Sequence, residues 1–317
     1  MLSLLIFLTF FSGFVQPEGT HEFGVVKDPD GYTNMRAEPR IDSYILRRLQ
    51  HNDFIWYIRS NSPWLKVSNY FGSDSGQNEG FVHSSRVVPI TDLGIQEIEQ
   101  LYGSEWERKT ETFRLGEITI TMFNANRIED APLKTPEYQS SFLEIKIPNQ
   151  KPLRKYYPDI NSLGGYGGLI YAPVPSYSDY LFFTKNGDYD GRAIIVRKDG
   201  NVADIEGGMF LLHGSYFISE VRQGCCGEPL VWDLSLWDKT YDSRDDDSIM
   251  DRYDIGEPQY SYYTATGELF LKVENPYNED TKPSYYRLDK NGTFIPESDP
   301  PVLKDKVKLL PEELSDF

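Results

Sequence analysis

The sequence is poor in the residues from which catalytic and metal centres are usually built. Its 317 residues include only two cysteines and four histidines, and His21, His51, His83 and His213 are far apart in the chain. A nucleophilic centre needs a base and an orienting group beside the nucleophile, and a structural zinc site needs closely spaced Cys and His ligands. Neither pattern occurs, so the sequence predicts no catalytic residue, no metal, no cofactor and no enzymatic activity.

Basic residues are also scarce relative to acidic ones. The chain has 32 Lys and Arg against 49 Asp and Glu, which gives a net charge of −17. Residues 22–90 carry eight basic and eight acidic residues, so nearly all of the negative charge lies after them. Such a surface repels the phosphate backbone of nucleic acids and anionic membrane surfaces. We therefore expect no nucleic-acid partner.

One apolar run is present, and it stands at the start of the chain. Residues 1–16 (MLSLLIFLTFFSGFVQ) are too few for a membrane-spanning helix and are typical of the apolar region of a secretory signal peptide. No Lys or Arg precedes the run and no clean cleavage site follows it, so a buried helix or an uncleaved anchor stays open. We predict a signal peptide over residues 1–19 and export to the periplasm or beyond, with no membrane span after its removal.

Residues 24–88 have the pattern of a small all-β unit. Short runs rich in β-branched and aromatic residues alternate with turn residues. Asp28-Pro29-Asp30-Gly31 is such a turn, because proline fixes φ and glycine accepts a positive φ. The pattern favours a small barrel or sandwich. Its predicted core is Val26, Met35, Ile45, Leu49, Ile55, Trp64, Val67, Phe81 and Val82.

Three motifs in this stretch occur in a familiar order. They are Thr33-Asn34-Met35-Arg36, Trp64-Leu65-Lys66-Val67 and Gly80-Phe81-Val82-His83. Together they resemble the bacterial SH3 domain, whose members show Leu-Asn-Val-Arg, then Trp-x-Lys-Val, then Gly-Tyr-Val-His or Ser. The polar insertion at 73–78 departs from the family pattern. The resemblance covers about a fifth of the chain and implies an SH3-like barrel over residues 22–90.

The resemblance also implies a ligand groove. Bacterial SH3 domains accompany cell-wall enzymes and are thought to hold peptides or peptidoglycan stems. The groove is expected between the loop at 28–34 and the region 60–64, with aromatic anchors and two carboxylates that attract a cationic group. Several of the aromatic residues are alternatively core residues, Trp64 above all. The predicted ligand-binding residues are Asp28, Asp30, Tyr32, Trp56, Trp64 and Tyr70.

The rest of the chain predicts one helix and a second β domain. Apolar residues at helical spacing predict a helix over 91–108, which we interpret as part of a linker at 91–109. Residues 110–297 contain many strand-like runs separated by Asn-Gly and Asp-Gly turns, so they predict a larger antiparallel domain. That domain is expected to be a sandwich or a set of irregular, propeller-like meanders. Residues 298–317 form a charged tail, ordered as a strap at most.

Two acidic segments are candidates for calcium binding. Residues 186–191 match the first half of a calcium-binding loop, but its twelfth position is Arg197 instead of the bidentate glutamate. A polar hairpin turn is the favoured interpretation. The run at 242–247 is equally acidic, and acidic loops are usually only solvated.

The two cysteines are adjacent, Cys225 and Cys226, and lie between glycines. In an oxidising compartment two thiols tend to form a disulfide, and the flanking glycines permit the tight turn that neighbouring residues need. We predict this disulfide for the exported protein. Two reduced, partly buried thiols are the alternative.

These observations favour a mainly β, non-enzymatic, exported binding protein. Its SH3-like module would recognise a peptide, peptidoglycan or a protein partner. One alternative is an immunity or inhibitor protein that presents its acidic second domain to a basic secreted toxin. Another is a cell-wall hydrolase accessory or a glycosidase, because carboxylate pairs are plentiful although none is singled out.

Overall fold

A computed structural model of the protein consists almost entirely of antiparallel β-sheets. It describes residues 21–59, 61–68, 79–104, 106–127, 139–159, 168–185, 191–223, 226–243, 259–265, 267–274, 282–298 and 301–310. These residues form two compact units, one that ends before Trp106 and one that begins with it. No helix among them is long and apolar enough to cross a membrane.

The N-terminal unit contains one seven-stranded antiparallel sheet. Its strands are β1 (His21–Val26), β2 (Tyr32–Arg36), β3 (Ile45–Gln50), β4 (Phe54–Ile58), β5 (Trp64–Ser68), β6 (Glu79–His83) and β7 (Val87–Pro89). They lie in the order β3-β2-β6-β5-β4-β1-β7. Short 3-10 turns follow at Ser84–Arg86 and Ile90–Asp92. No ladder between described residues joins the edge strands β3 and β7, so the sheet is open there.

The core of this unit lies on one face of the sheet. Six of the predicted core residues are in it, Val26, Met35, Leu49, Ile55, Val67 and Val82, and Tyr57, Leu65 and Val87 join them. The prediction was wrong for Ile45, which is 41% exposed, and for Trp64 and Phe81, which are only partly buried. Successive side chains of a strand point to opposite faces, so the inward Leu65 and Val82 place their neighbours Trp64 and Phe81 outside.

The predicted helix is shorter than the sequence indicated. Helix α1 spans Ile95–Leu101. The ten residues Trp106–Leu115 already form a strand. The carboxylate of Glu97 accepts a hydrogen bond from the backbone N–H of Gly94 at 2.9 Å, so Gly94 is the N-cap residue and the helix begins at Ile95. Tyr102 follows the helix and packs against Phe54, with ring centroids 5.6 Å apart. The segment therefore belongs to the N-terminal unit and is not a linker helix up to residue 109.

The C-terminal unit is built from four consecutive sheets. The first sheet has β8 (Trp106–Leu115), β9 (Ile118–Arg127), β10 (Gln139–Lys146) and β11 (Leu153–Asp159). The second has β12 (Ile170–Ala172), β13 (Tyr180–Lys185), β14 (Arg192–Arg197) and β15 (Val202–Glu206), with a 3-10 turn at Pro175–Tyr177. The third has β16 (Met209–His213), β17 (Tyr216–Gln223), β18 (Cys226–Asp233) and β19 (Asp238–Asp242). The fourth has β20 (Gln259–Ala265), β21 (Glu268–Glu274), β22 (Ser284–Leu288), β23 (Phe294–Glu297) and β24 (Asp305–Val307).

In each sheet the first four strands form a meander, in which strands that follow one another along the chain pair antiparallel, and β24 is added beside β20 in the fourth sheet. Three hydrophobic clusters join the sheets in chain order. Leu181 and Phe183 of the second sheet pack toward the first sheet, in a cluster with Ile120 and Leu143. Phe182, between them in sequence, packs toward Phe210 and Phe217 of the third sheet. The third and fourth sheets meet through the residues Leu211, Ile218, Val231, Tyr262, Leu271 and Tyr286.

The turn between the third and fourth strand of a sheet contacts the preceding sheet. The guanidinium of Arg197 donates to the carbonyl of Leu234 at 3.4 Å, and the hydroxyl of Tyr216 donates to the carbonyl of Lys290 at 2.6 Å. Each of these turns contains a residue with positive φ: Asn149, Gly200, Trp237 and Gly292. The predicted turns Asp199-Gly200 and Asn291-Gly292 are both found there, whereas Asn186-Gly187 lies outside the described residues.

The charged tail begins as an ordered strap. Residues of β24 pair with β20 at the edge of the fourth sheet. Leu310 then forms a two-way backbone bridge with Phe210 of the third sheet, with N···O distances of 2.6 and 3.0 Å. The strap therefore covers the edges of two sheets, where unpaired N–H and C=O groups would otherwise face water.

Glu144 is the most deeply buried acidic side chain of the first sheet. Its side chain is 2% exposed and lies 2.8 Å from both Lys146 and Arg154. Burial raises the pKa of a carboxyl, but these two hydrogen bonds and positive charges outweigh it and lower the pKa of Glu144 below its ordinary 4.5.

We expect Glu144→Gln to lower the free energy of unfolding at neutral pH by about 2 kcal/mol, since it removes the charge that both cations face. A lowered carboxyl pKa stabilises the fold above the unfolded-state pKa, and that stability is lost as the pH falls through the folded-state value. The variant should therefore lose less stability than the wild type when denaturant unfolding is compared at neutral pH and below pH 4.5. Glu111→Gln is the control, because Glu111 forms an exposed pair with Lys109. Equal effects of the two variants would contradict the prediction.

The segment after β7 should stabilise the N-terminal unit. A fragment of residues 21–104 is expected to unfold cooperatively, and a fragment of residues 21–90 to unfold at a lower denaturant concentration. The shorter fragment lacks the buried Leu93 and Ile98 and the contact of Tyr102 with Phe54. Circular dichroism during urea unfolding measures both midpoints. Identical midpoints would show that the segment adds nothing to this unit.

Candidate functional site

The face of the N-terminal sheet that points away from its core carries a mixed aromatic and cationic surface. We call it the outer face. It is formed by alternate residues of four neighbouring strands: Tyr32, Asn34 and Arg36 on β2, Glu79, Phe81 and His83 on β6, Trp64, Lys66 and Ser68 on β5, and Trp56 and Ile58 on β4. Their neighbours Met35, Val82, Leu65 and Ile55 form the core on the other face.

The strand register places these residues in rows. In the central row Phe81 lies directly opposite both Arg36 and Lys66. Gly80 permits this row, since a Cβ at that position would lie 2.7 Å from Met35 Cγ and 2.8 Å from the carbonyl of Arg36. Facing residues of paired strands have Cβ atoms roughly 5 Å apart. Phe81 is therefore flanked by a basic residue on each of the two neighbouring strands.

The next row consists of Trp64 and His83, which are paired in register. Their rings meet edge to face, with centroids 5.4 Å apart. His83 Nδ1 accepts the backbone N–H of Ser85 at 3.3 Å and lies 2.8 Å from the Ser85 hydroxyl. The neutral ring therefore carries its proton on Nε2, which is a donor for another group. These contacts hold the His83 ring in place within the fold.

The predicted aromatic anchors share the outer face but do not form one cluster. Trp56 stacks on Phe23 with ring centroids 5.7 Å apart and lies opposite Ser68. Ser68 is four residues from Trp64, about 13 Å along the strand. The Tyr32 ring is instead covered by the Arg48 guanidinium, 4.5 Å from the ring centroid.

The predicted carboxylates have different environments. Asp28 is 4% exposed, and its carboxylate accepts hydrogen bonds from the backbone N–H of Asp30 at 2.9 Å and from Arg86 at 3.1 Å. Its charge is thus used inside the unit and is not directed at a ligand. Asp30 is exposed at the turn. The sequence did not indicate this arrangement, because Arg86 lies far along the chain.

The outer face has more positive than negative charge. Arg36, Arg48 and Lys66 are its cations, and Glu79 is its carboxylate. Lys66 and Glu79 form an ion pair at 2.8 Å in which both side chains are about half exposed. Arg36 donates to the carbonyl of Ser43 at 2.8 Å. Neither Arg36 nor Arg48 forms an ion pair with a carboxylate in the described part of the chain.

Tyr57, Glu22 and Arg59 form a second polar cluster in this unit, and its role is structural. The hydroxyl of Tyr57 donates to the carboxylate of Glu22 at 2.7 Å, and Arg59 pairs with the same carboxylate at 2.7 Å. Burial, together with the bond to Glu22, raises the pKa of Tyr57 well above its ordinary value. The hydroxyl thus stays protonated as a structural donor and offers no base.

Several predicted features lie outside the described residues. These are Tyr70, Cys225, the loop at 186–190 and the acidic residues 244–247. Cys226 is the first residue of β18, opposite Gln223. The predicted disulfide and the predicted polar hairpin turn therefore stay predictions. Among the residues that the structure describes, no group of three His, Cys, Asp or Glu side chains is placed to hold a metal ion.

We did not predict from the sequence that Arg36, Lys66, Phe81 and His83 lie together on the outer face. The signal was present in the alternation of β5 and β6, where Leu65, Val67 and Val82 are aliphatic and their neighbours are aromatic or basic. The aliphatic set packs more closely in a small core, so the other set faces outward.

Replacement of Asp28 should destabilise the protein, whereas replacement of Asp30 should not. We expect Asp28→Ala to cost about 2–3 kcal/mol, because Arg86 and the turn N–H lose their acceptor. Asp30→Ala, in the same turn and exposed, should change stability by less than about 0.5 kcal/mol. Denaturant unfolding of the two full-length variants tests this. A small effect of Asp28→Ala would return Asp28 to the candidate ligand-binding residues.

The chain was also compared with known proteins. No family model, no curated protein and no solved structure matches it. Its function therefore has to be argued from the arrangement of its own residues.

Proposed function

We propose that the protein is an exported, non-enzymatic binding protein whose N-terminal unit is an SH3-like module that recognises peptides, including the peptide stems of the cell wall. The observation that carries this proposal is the outer face. Tyr32, Trp64 and Phe81 are partly exposed there, although the opposite face of the same strands already supplies the core.

Aromatic side chains of this kind suit peptide recognition. Trp and Tyr offer large contact areas with few rotatable bonds, so little conformational entropy is lost on binding. The T-shaped contact of Trp64 with His83 and the covering of Tyr32 by Arg48 hold these rings in place. A surface that is ordered before the ligand arrives gains affinity for that reason.

The loop between β2 and β3 adds an apolar edge to this unit. Ile41 and Tyr44 are 75% and 76% exposed at its tip. The loop is braced from within, since the Ser43 hydroxyl accepts the backbone N–H of Glu38 at 2.9 Å and the carbonyl of Tyr44 accepts that of Ala37 at 2.9 Å. Apolar side chains held in water on a braced loop are typical of interaction sites.

Binding of the full chain to an array of short random peptides and to purified peptidoglycan tests the proposal. We expect a subset of peptides or the peptidoglycan to bind. Trp64→Thr and Phe81→Thr should each weaken that binding about tenfold or more, because central aromatic residues carry most of the energy of an interface.

Leu153→Thr is the matched control, since Leu153 is a partly exposed apolar strand residue of the C-terminal unit. It should leave binding unchanged, and all variants should unfold at the wild-type midpoint. Absence of binding to both probes would reject the proposed function. Release of soluble fragments from the peptidoglycan would reject its non-enzymatic part.

A further inference from the structure

The central row of the outer face has a charge pattern that the fold does not require. Arg36 and Lys66 flank Phe81 across paired strands. Arg48 lies on the same face, opposite Asn34. Among the described residues of strands β2 to β6 on this face, three cations accompany one carboxylate, that of Glu79, a local charge of about +2 in a chain whose net charge is −17.

These cations are available to a ligand. The Lys66–Glu79 pair is about half exposed on both sides, and such pairs contribute only about 0–1 kcal/mol, so a ligand carboxylate can replace Glu79 at little cost. Arg36 uses one of its donors on the carbonyl of Ser43 and has further N–H groups in its planar fork. Arg48 contacts the Tyr32 ring and keeps its charge on the exposed side.

We propose that the ligand of the outer face is an acidic peptide segment in which Asp or Glu residues flank an apolar residue. The apolar residue packs on Phe81 and Trp64, and the carboxylates meet Lys66 and the arginines. This inference rests on the proposed function, since it names the partner of the same surface. Arginine is particularly suited to a carboxylate, which it can bind with two parallel hydrogen bonds.

The aromatic residues favour a peptide over a phosphate polymer. A polyphosphate would contact the cations alone, and its phosphate groups would gain nothing from the aromatic rings of Phe81 and Trp64. The net negative charge of the chain does not decide the matter, because charges more than about 8 Å away are largely screened at physiological salt. At contact distance the positive outer face determines the preferred charge.

The test compares peptides that differ only in charge. The tightest binders of the array are synthesised again with every Asp and Glu changed to Asn and Gln, and both versions are titrated against the full chain. We expect the acidic version to bind at least about tenfold more tightly, with an advantage that shrinks as salt is raised. Lys66→Glu should weaken binding of the acidic version about tenfold and change that of the amide version little.

Lys109→Glu is the matched control. Lys109 is also an exposed strand lysine in an ion pair, with Glu111 at 3.0 Å, but it belongs to the C-terminal unit. It should change neither affinity. Lys66→Gln serves as the milder variant if Lys66→Glu unfolds, and it should weaken only the acidic version.

The remaining outcomes separate the two proposals. Equal affinity of the acidic and amide peptides would overturn this inference and leave the proposed function standing. Full displacement of the acidic peptide by inorganic polyphosphate, together with undiminished binding by Phe81→Thr, would overturn it in favour of a general polyanion surface. If no peptide binds at all, the inference falls together with the proposed function.

Discussion

Burial of both faces of the inner sheets is the constraint on which the C-terminal unit depends. In β13, Leu181 and Phe183 pack toward the first sheet while Phe182 packs toward the third. In β14, Ile194 and Ile195 divide in the same way. A sheet of four short strands cannot shield two apolar faces alone, so each sheet is stable only between its neighbours. The strands β13 and β14 are therefore apolar over most of their length and show no polar alternation.

The N-terminal sheet obeys the opposite rule, and this is why its outer face is informative. Over β2, β6 and β5 the core needs only one face, so a shift of one residue in register would exchange the two faces there. Gly80 opposes such a shift, because a side chain at the close approach of β2 and β6 would collide with Met35. The identities of Phe81, Trp64 and Lys66 are thus not required by the core. Their positions outside the hydrophobic core are what supports the proposed binding function.

The elements that could be predicted were those governed by local chemistry. The strands and the hairpin at Asp199-Gly200 follow from residue type and turn geometry. The outward direction of Trp64 and Phe81 was missed, because both residues in the pairs Trp64-Leu65 and Phe81-Val82 are apolar. Only the alternation along the whole strand, with Lys66 between Leu65 and Val67, indicates which set faces outward. Nothing local indicates the left-handed backbone of Trp237, which depends on Asp233 accepting hydrogen bonds from the turn that follows it. Likewise, the sequence indicated the aromatic anchors of the outer face one by one, but it did not indicate the distances between them. Those distances depend on how the strands pair.

The charges of this chain would act on an acidic ligand in two opposite ways, by repulsion at long range and by attraction at contact distance. At long range the net charge of −17 repels a negative peptide and slows encounter. At contact distance Arg36 and Lys66 attract it and slow dissociation. Salt weakens both effects, so it would speed association and dissociation together, and the equilibrium would change less than either rate. Under the proposed function, an acidic peptide would therefore exchange more readily as salt rises, while the apolar contacts of Trp64 and Phe81, which salt does not screen, would maintain selectivity.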